Sequence, residues 1–196
     1  MNDNNLILLN LIKYSQFGTN NDTYFSPNID WKEIYDEAVN QAVLGIVAPE
    51  VPDQVALSDD RWKKAQYKQI ASYTRYNYSE EHLKCVLDKA GIPFVILKGN
   101  AAACYYRHPE RRMMGDIDFL VSQDLFTFAK DELINAGYLM KDKLDEEINA
   151  RHIGFSKDGQ LYELHHHFSH KEIDFESIIV DGLKNREINN IKEHYI

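Results

Sequence analysis

Residues 58–90 contain neither Pro nor Gly and carry their apolar residues at helical spacing, so any fold of this chain has to accommodate one long helix near its middle. Ser58, Asp59 and Asp60 stand at its start, and each can accept hydrogen bonds from the unpaired N–H groups of a first turn. Upstream, Leu6, Ile7, Leu8, Leu9, Leu11 and Ile12 form an apolar cluster at helical spacing, and residues 31–47 form a second amphipathic stretch behind Asp30. Pro27, Pro49 and Pro52 punctuate these segments. The first 90 residues therefore read as helical throughout.

The texture changes at Gly91. Residues 92–97, Ile-Pro-Phe-Val-Ile-Leu, form an apolar run suited to a buried strand, which Lys98-Gly99 ends. A short helix is expected over 100–106 and an Arg-rich loop over 107–112. A strand follows over 116–121, and then a helix capped by Ser122 that runs to Ala136. Gly137 stops that helix, 138–141 reads as a short strand, and 145–150 as a short helix or loop. Residues 151–156 and 160–168 are strand-like and joined by Lys157-Asp158-Gly159, where Asp-Gly between alternating segments is a hairpin signal. A last helix is expected over 174–192. Strand, helix, strand, helix and hairpin describe an α/β (α+β) chain whose small mixed sheet is backed by helices.

Composition narrows the function. Lys plus Arg number 22 against 31 Asp plus Glu, a formal charge of −9, so the chain lacks the broad positive field of a non-specific nucleic-acid binder. A small or locally steered ligand fits better. No apolar run approaches the length of a membrane span and the start has no basic leader region, so a cytoplasmic protein without a membrane partner is expected. With no secretory signal, Cys85 and Cys104 are expected as small buried apolar groups rather than a disulfide.

The chemistry-bearing residues lie between Lys98 and Val121. Asp116 and Asp118 are two apart on an expected strand, so both carboxylates project from one face while Ile117, Phe119 and Val121 point to the other. Like charges at that spacing repel, and a hard divalent cation with phosphate co-ligands removes the repulsion. Lys98, Gly99 and Asn100 occupy a strand-to-helix turn whose free N–H groups offer an anion site, with Gly99 leaving room for a phosphate. Arg107, Arg111 and Arg112 add cationic donors just ahead of the acidic strand. One segment thus supplies a phosphate cradle, counter-charges and metal ligands.

The run LKGNAAACYYRHPERRMMGDIDFLV resembles the signature of the uncharacterised nucleotidyltransferases within the DNA-polymerase-β-like superfamily, in which an LKG turn precedes an R-x-x-GDIDxLV strand. The likeness is dense over 94–121 and looser to Phe168. It implies a polymerase-β-like core, Mg²⁺ or Mn²⁺ as cofactor, and a nucleoside triphosphate such as ATP as substrate. It makes Asp116 and Asp118 the metal carboxylates, Gly99 and Asn100 the counterparts of the usual Gly-Ser pair, and Arg112 the arginine ahead of GDID. The implied reaction is transfer of a nucleoside monophosphate to an unknown acceptor hydroxyl, with Lys98, Arg111 and Arg112 neutralising phosphate charge.

The superfamily pattern also implies a third acid on a later strand. In Leu161-Tyr-Glu-Leu-His-His-His-Phe168, alternation puts Glu163, His165 and His167 on one face, so Glu163 is expected to complete the metal site and His165 to contact substrate or orient Glu163. The histidines also admit a rival, a Zn²⁺ site drawn from His152, His165, His166, His167 and His170. A metal-assisted glycosyltransferase, a catalytically silent scaffold on the same fold, and a partner-binding, antitoxin-like module compete with the nucleotidyltransferase, because one fold serves many functions. The expected layout is a helical element over 1–58, a nucleotidyltransferase core over 59–172, and a C-terminal helix over 173–196 that could open a further helical region.

Overall fold

The computed structural model describes residues 3–18, 29–141 and 152–166. They fall into two units, Met1–Arg75 with Ala102–Met114, and Tyr76–Ala101 with Gly115–Ile196. The helix expected over 174–192, the segment 145–150, and His167 and His170 lie outside the described residues.

The first unit is helical, made of α1 (Asp3–Phe17), α2 (Trp31–Asn40), α3 (Leu44–Val47), α4 (Asp53–Ser58) and the first half of α5 (Arg61–Lys89). Asp30 caps α2 by accepting from the backbone N–H groups of Lys32 and Glu33 at 3.0 and 3.1 Å. Asn4 ties this cap to α1, accepting from the Asp30 N–H at 3.2 Å and donating to Glu33 at 2.6 Å. The single helix expected over 31–47 is instead two, α2 and α3, separated by a turn in which Ala42 takes a left-handed φ of 53°. Pro52 starts α4, an element the sequence pattern did not announce.

Trp62 anchors the core of this unit. It is fully buried among Ile7, Leu11, Ile34, Ala38 and Val47, with the rings of Tyr35 and Trp31 set edge-on at 4.9 and 6.4 Å. Next to it, Asp59 accepts from the Arg61 backbone N–H at 3.1 Å and from its guanidinium at 2.6 Å, fixing the start of α5. The expected cap is therefore Asp59 rather than Ser58, whose hydroxyl donates back to the Val55 carbonyl.

The second unit is a five-stranded sheet of order β1-β2-β5-β4-β3, with β1 Phe94–Ile96, β2 Ile117–Val121, β3 Leu139–Met140, β4 His152–Lys157 and β5 Gln160–His165. Among the described residues the β2·β5 pair is parallel and the other pairs are antiparallel, so the sheet is mixed. Asp158 and Gly159, at φ 50° and 78°, make the tight turn of the β4–β5 hairpin, and Lys157 pairs with Gln160 across it. One face buries Phe119, Phe155, Tyr162 and Leu164, and Leu83, Leu87 and Leu133 from α5 and α7 (Phe126–Asn135) are buried too. Two local expectations fail. Ser122 makes no side-chain cap, because a 3-10 turn over Gln123–Leu125 intervenes before α7. Cys85 and Cys104 are exposed and form no disulfide, Cys85 on the outer side of α5 and Cys104 just past α6 (Asn100–Ala103).

Ala42 holds a conformation that costs an alanine about 1 kcal/mol and a glycine nothing comparable. Ala42→Gly is expected to raise the stability of the protein by about 0.5–1 kcal/mol in urea unfolding, and unchanged or lower stability would mean the turn is not left-handed in solution.

Candidate metal centre

Strand register builds the centre. In the parallel ladder Asp118 stands beside Glu163 and Leu120 beside His165, while in the antiparallel ladder His152 faces His165 and Gly154 faces Glu163. Side chains two apart share a face, so Asp118, Glu163, His165 and His152 gather on one side of three adjacent strands. Ile117, Phe119, Tyr162 and Leu164 fill the core on the other. Asp116 lies just before β2 and reaches the same face.

One carboxylate oxygen from each of Asp116, Asp118 and Glu163 lies within 4.8 Å of the others. Asp116 is solvent-accessible and Glu163 half-buried, whereas Asp118 is 1% exposed. Asp118 Oδ1 accepts from Lys98 Nζ and from His165 Nε2, both at 3.1 Å. Lys98 Nζ is also 3.1 Å from Oδ2, but off the line of a hydrogen bond, so that buried oxygen has no hydrogen-bond partner. His165 Nε2 lies 3.3 Å from Glu163 Oε2 as well, and facing two carboxylates it is the ring nitrogen that carries the proton.

The charges explain how the two acids titrate. Burial pushes the Asp118 carboxyl up, but the hydrogen bonds from His165 and Lys98 prevail and hold it below the usual carboxylate range. Glu163 moves the other way: burial and the neighbouring Asp116 and Asp118 charges raise it against the pull of His152 and His165. Three converging carboxylates, one with a buried oxygen lacking a hydrogen bond and one electrostatically frustrated, are a donor set suited to a hard divalent cation.

Other side chains fix the backbone that carries Asp116. Gln160 donates to the Gly115 carbonyl at 2.6 Å, and the Tyr76 hydroxyl to the Asp116 carbonyl at 3.4 Å. Neither residue stood out in the sequence; the one hint was that Gln160 leaves the Asp-Gly turn on the strand next to β2. Tyr76 also changes the reading of Gly99. A Cβ at Gly99 would sit 1.8 Å from the Tyr76 hydroxyl, and Gly99 has a φ of 55°. Glycine is thus required there by Tyr76 and by the turn, whatever a phosphate needs.

The remaining expected phosphate ligands belong to both units. Lys98 is 63% exposed beside the carboxylates. The Asn100 amide donates to Asn77 at 2.7 Å and to the buried Glu80 at 3.1 Å, so its side chain is turned toward α5. The helix it opens, α6 (Asn100–Ala103), is a single turn, too short for the expected dipole to contribute much. Arg111 and Arg112 belong to the first unit. There the Arg111 guanidinium, expected to neutralise phosphate charge, is ion-paired with Glu50 and donates to Ser15 at 3.1 Å. Arg112 donates to the Met113 carbonyl and the Met114 sulfur, and its own carbonyl accepts from Gln69 at 2.8 Å.

These opposite titrations predict opposite effects of neutral replacements in the metal-free protein. A carboxyl raised by folding costs stability as pH climbs above its unfolded value, so Glu163→Gln is expected to raise the melting temperature at pH 7, with the gain disappearing below the usual carboxylate range. A carboxyl depressed by folding contributes stability above that range and loses it as pH falls through its lowered value, so Asp118→Asn is expected to lower the melting temperature at pH 7. Melts in chelator across pH 3–8 test both, and a destabilising Glu163→Gln at pH 7 would refute the frustrated triad.

Comparison with curated proteins and with solved structures returns no match. A family model does match, over residues 27–194, which takes in every strand of the sheet and every acid of the triad. The chain belongs to the family described as uncharacterised nucleotidyltransferases.

Proposed function

We propose that the protein is a divalent-cation-dependent nucleotidyltransferase that moves a nucleoside monophosphate from a nucleoside triphosphate to an acceptor hydroxyl, releasing pyrophosphate. The observation that carries this reading is the convergence of Asp116, Asp118 and Glu163 within 4.8 Å at the centre of the sheet. These three would hold Mg²⁺ or Mn²⁺, which when bound supplies charge neutralisation for the phosphates and acidifies an acceptor hydroxyl. Lys98 neutralises charge at the same place: its ammonium is 63% exposed beside the carboxylates, open to a phosphate oxygen while it contacts Asp118. His165 keeps Asp118 and Glu163 in register through Nε2. Asn100 contributes through its backbone N–H, since its amide is engaged with Asn77 and Glu80.

That engagement of Asn100 favours one second reading, a catalytically silent nucleotidyltransferase-fold scaffold or partner-binding protein, in which the turn keeps its shape without its phosphate ligand. The two readings separate on nucleotide binding. Thermal shift with each of the four ribonucleoside triphosphates is expected to give a rise that requires Mg²⁺ or Mn²⁺, corresponding to about 2.7 kcal/mol at a hundredfold excess over Kd. No rise with any combination of nucleotide and metal decides for the scaffold. Lys98→Ala is expected to weaken that triphosphate binding by about 1.5–3 kcal/mol in calorimetry, and an unchanged Kd would remove Lys98 from the site.

A further inference from the structure

A second set of donors adjoins the carboxylates. His152 Nε2 lies 3.9 Å from Glu163 Oε1, His165 Nε2 lies 3.3 Å from Glu163 Oε2, and one ligand atom from each of the three residues falls within 4.8 Å of the others. Two ligands bound tetrahedrally to zinc at about 2.0–2.2 Å stand roughly 3.4 Å apart, so this group needs to close by only about an ångström. Glu163 and His165 are partly buried and His152, whose side chain is 45% exposed, stands at the open edge of the group; all three come from the paired strands β4 and β5. His152 and His165 are direct cross-strand partners with rings 5.1 Å apart, and Gly154 opposite Glu163 adds no side chain between them. The placement is set by sheet register rather than by a loop, which favours a defined geometry over a chance surface cluster.

We propose that His152, Glu163 and His165 form a nitrogen-rich cation position beside the carboxylate triad, sharing Glu163 with it, that takes Zn²⁺ or a comparable borderline transition-metal ion in preference to Mg²⁺. Imidazole nitrogen discriminates against Mg²⁺, which takes oxygen ligands and keeps several of its waters, and favours zinc. The all-oxygen triad has the opposite preference. The strands therefore hold two donor sets of unlike hardness with one carboxylate in common. To ligate, His165 moves its ring proton from Nε2 to Nδ1, and the ion then replaces that proton between the imidazole and Glu163. The proposal deepens the reading of this centre as a cation site, but it does not require that the centre transfer nucleotides.

Isothermal calorimetry of the full chain with ZnCl₂ tests it. The wild-type protein is expected to bind one Zn²⁺ strongly, His152→Gln to weaken that step by about tenfold or more, and Asp116→Asn to leave it within about threefold. His152 is the informative position because it lies on β4, separate in sequence from the consecutive histidines 165–167, which could hold zinc without any folded site. Undiminished zinc binding by His152→Gln overturns the proposal, in favour of the carboxylate triad where Asp116→Asn weakens the step and of that run where it does not, and equal losses in both variants overturn a zinc position separate from the triad. Should His152→Gln fail to fold, the wild-type protein still decides: nitrogen-15 NMR of the imidazoles is expected to show Zn²⁺ shifting Nε2 of His152 and His165, and an unshifted His152 overturns the site. If zinc binds as proposed while no triphosphate binds with Mg²⁺, the nucleotidyl-transfer reading falls and the zinc position stands.

Discussion

The parallel pairing of β2 with β5 is the constraint from which the centre follows. It places Asp118 next to Glu163 in the middle of a sheet whose other face is closed by Phe119, Tyr162 and Leu164. A slip of one residue would turn the acids into that apolar core and the aromatics out, so burial of one face locks the carboxylates onto the other. Parallel strands also need a crossover, and here it contains α7, β3 and β4. The Asp-Gly hairpin then returns β5 alongside β2, which makes the geometry of one tight turn a condition for assembling the acids.

The price of that assembly is visible in the neighbours. At 1% exposure the Asp118 carboxyl is held below its usual range by His165 and Lys98, and Glu163 is raised by burial and by the very charges it joins. Gln160 and Tyr76 hold the carbonyls of Gly115 and Asp116, so the ascent into β2 is clamped by hydrogen bonds just where two acids meet. Tyr76 and Gly99 are complementary in the same way, a bulky hydroxyl-bearing ring against a residue without Cβ.

Much of this was legible in the sequence because it rests on short-range rules. Alternation in Asp116-Ile-Asp and Tyr-Glu-Leu-His gives the faces, Asp158-Gly159 gives the turn, and the absence of Pro and Gly gives α5. What the sequence left obscure depends on partners distant along the chain. Nothing local marks Arg111 as the partner of Glu50, or Asn100 as the partner of Asn77 and Glu80, and both read more naturally as open ligands. The break at Ala42 escaped because alanine in a left-handed turn contradicts its own preference, and the exposure of Cys85 and Cys104 because burial statistics for cysteine say nothing about a particular helix face.

The local rules are obeyed nearly everywhere in the sheet and broken in one place. Strands Ile117–Val121 and Gln160–His165 pack apolar residues on the closed face, the hairpin has the residues its turn demands, and the positive-φ turns at Gly91, Gly99, Gly137 and Gly159 carry glycine. Against that background, three carboxylates within 4.8 Å, one with a buried oxygen that no hydrogen bond reaches, cannot be ascribed to a loosely specified surface. Replacing Glu163 by its amide would relieve the repulsion at no cost in volume, so folding alone supplies no reason for a third carboxylate beside Asp116 and Asp118. Unfavourable charge gathered on one face of the sheet is what a bound cation would relieve, and that physical mismatch is the support for the proposed metal-dependent reading over a fold kept only for its shape.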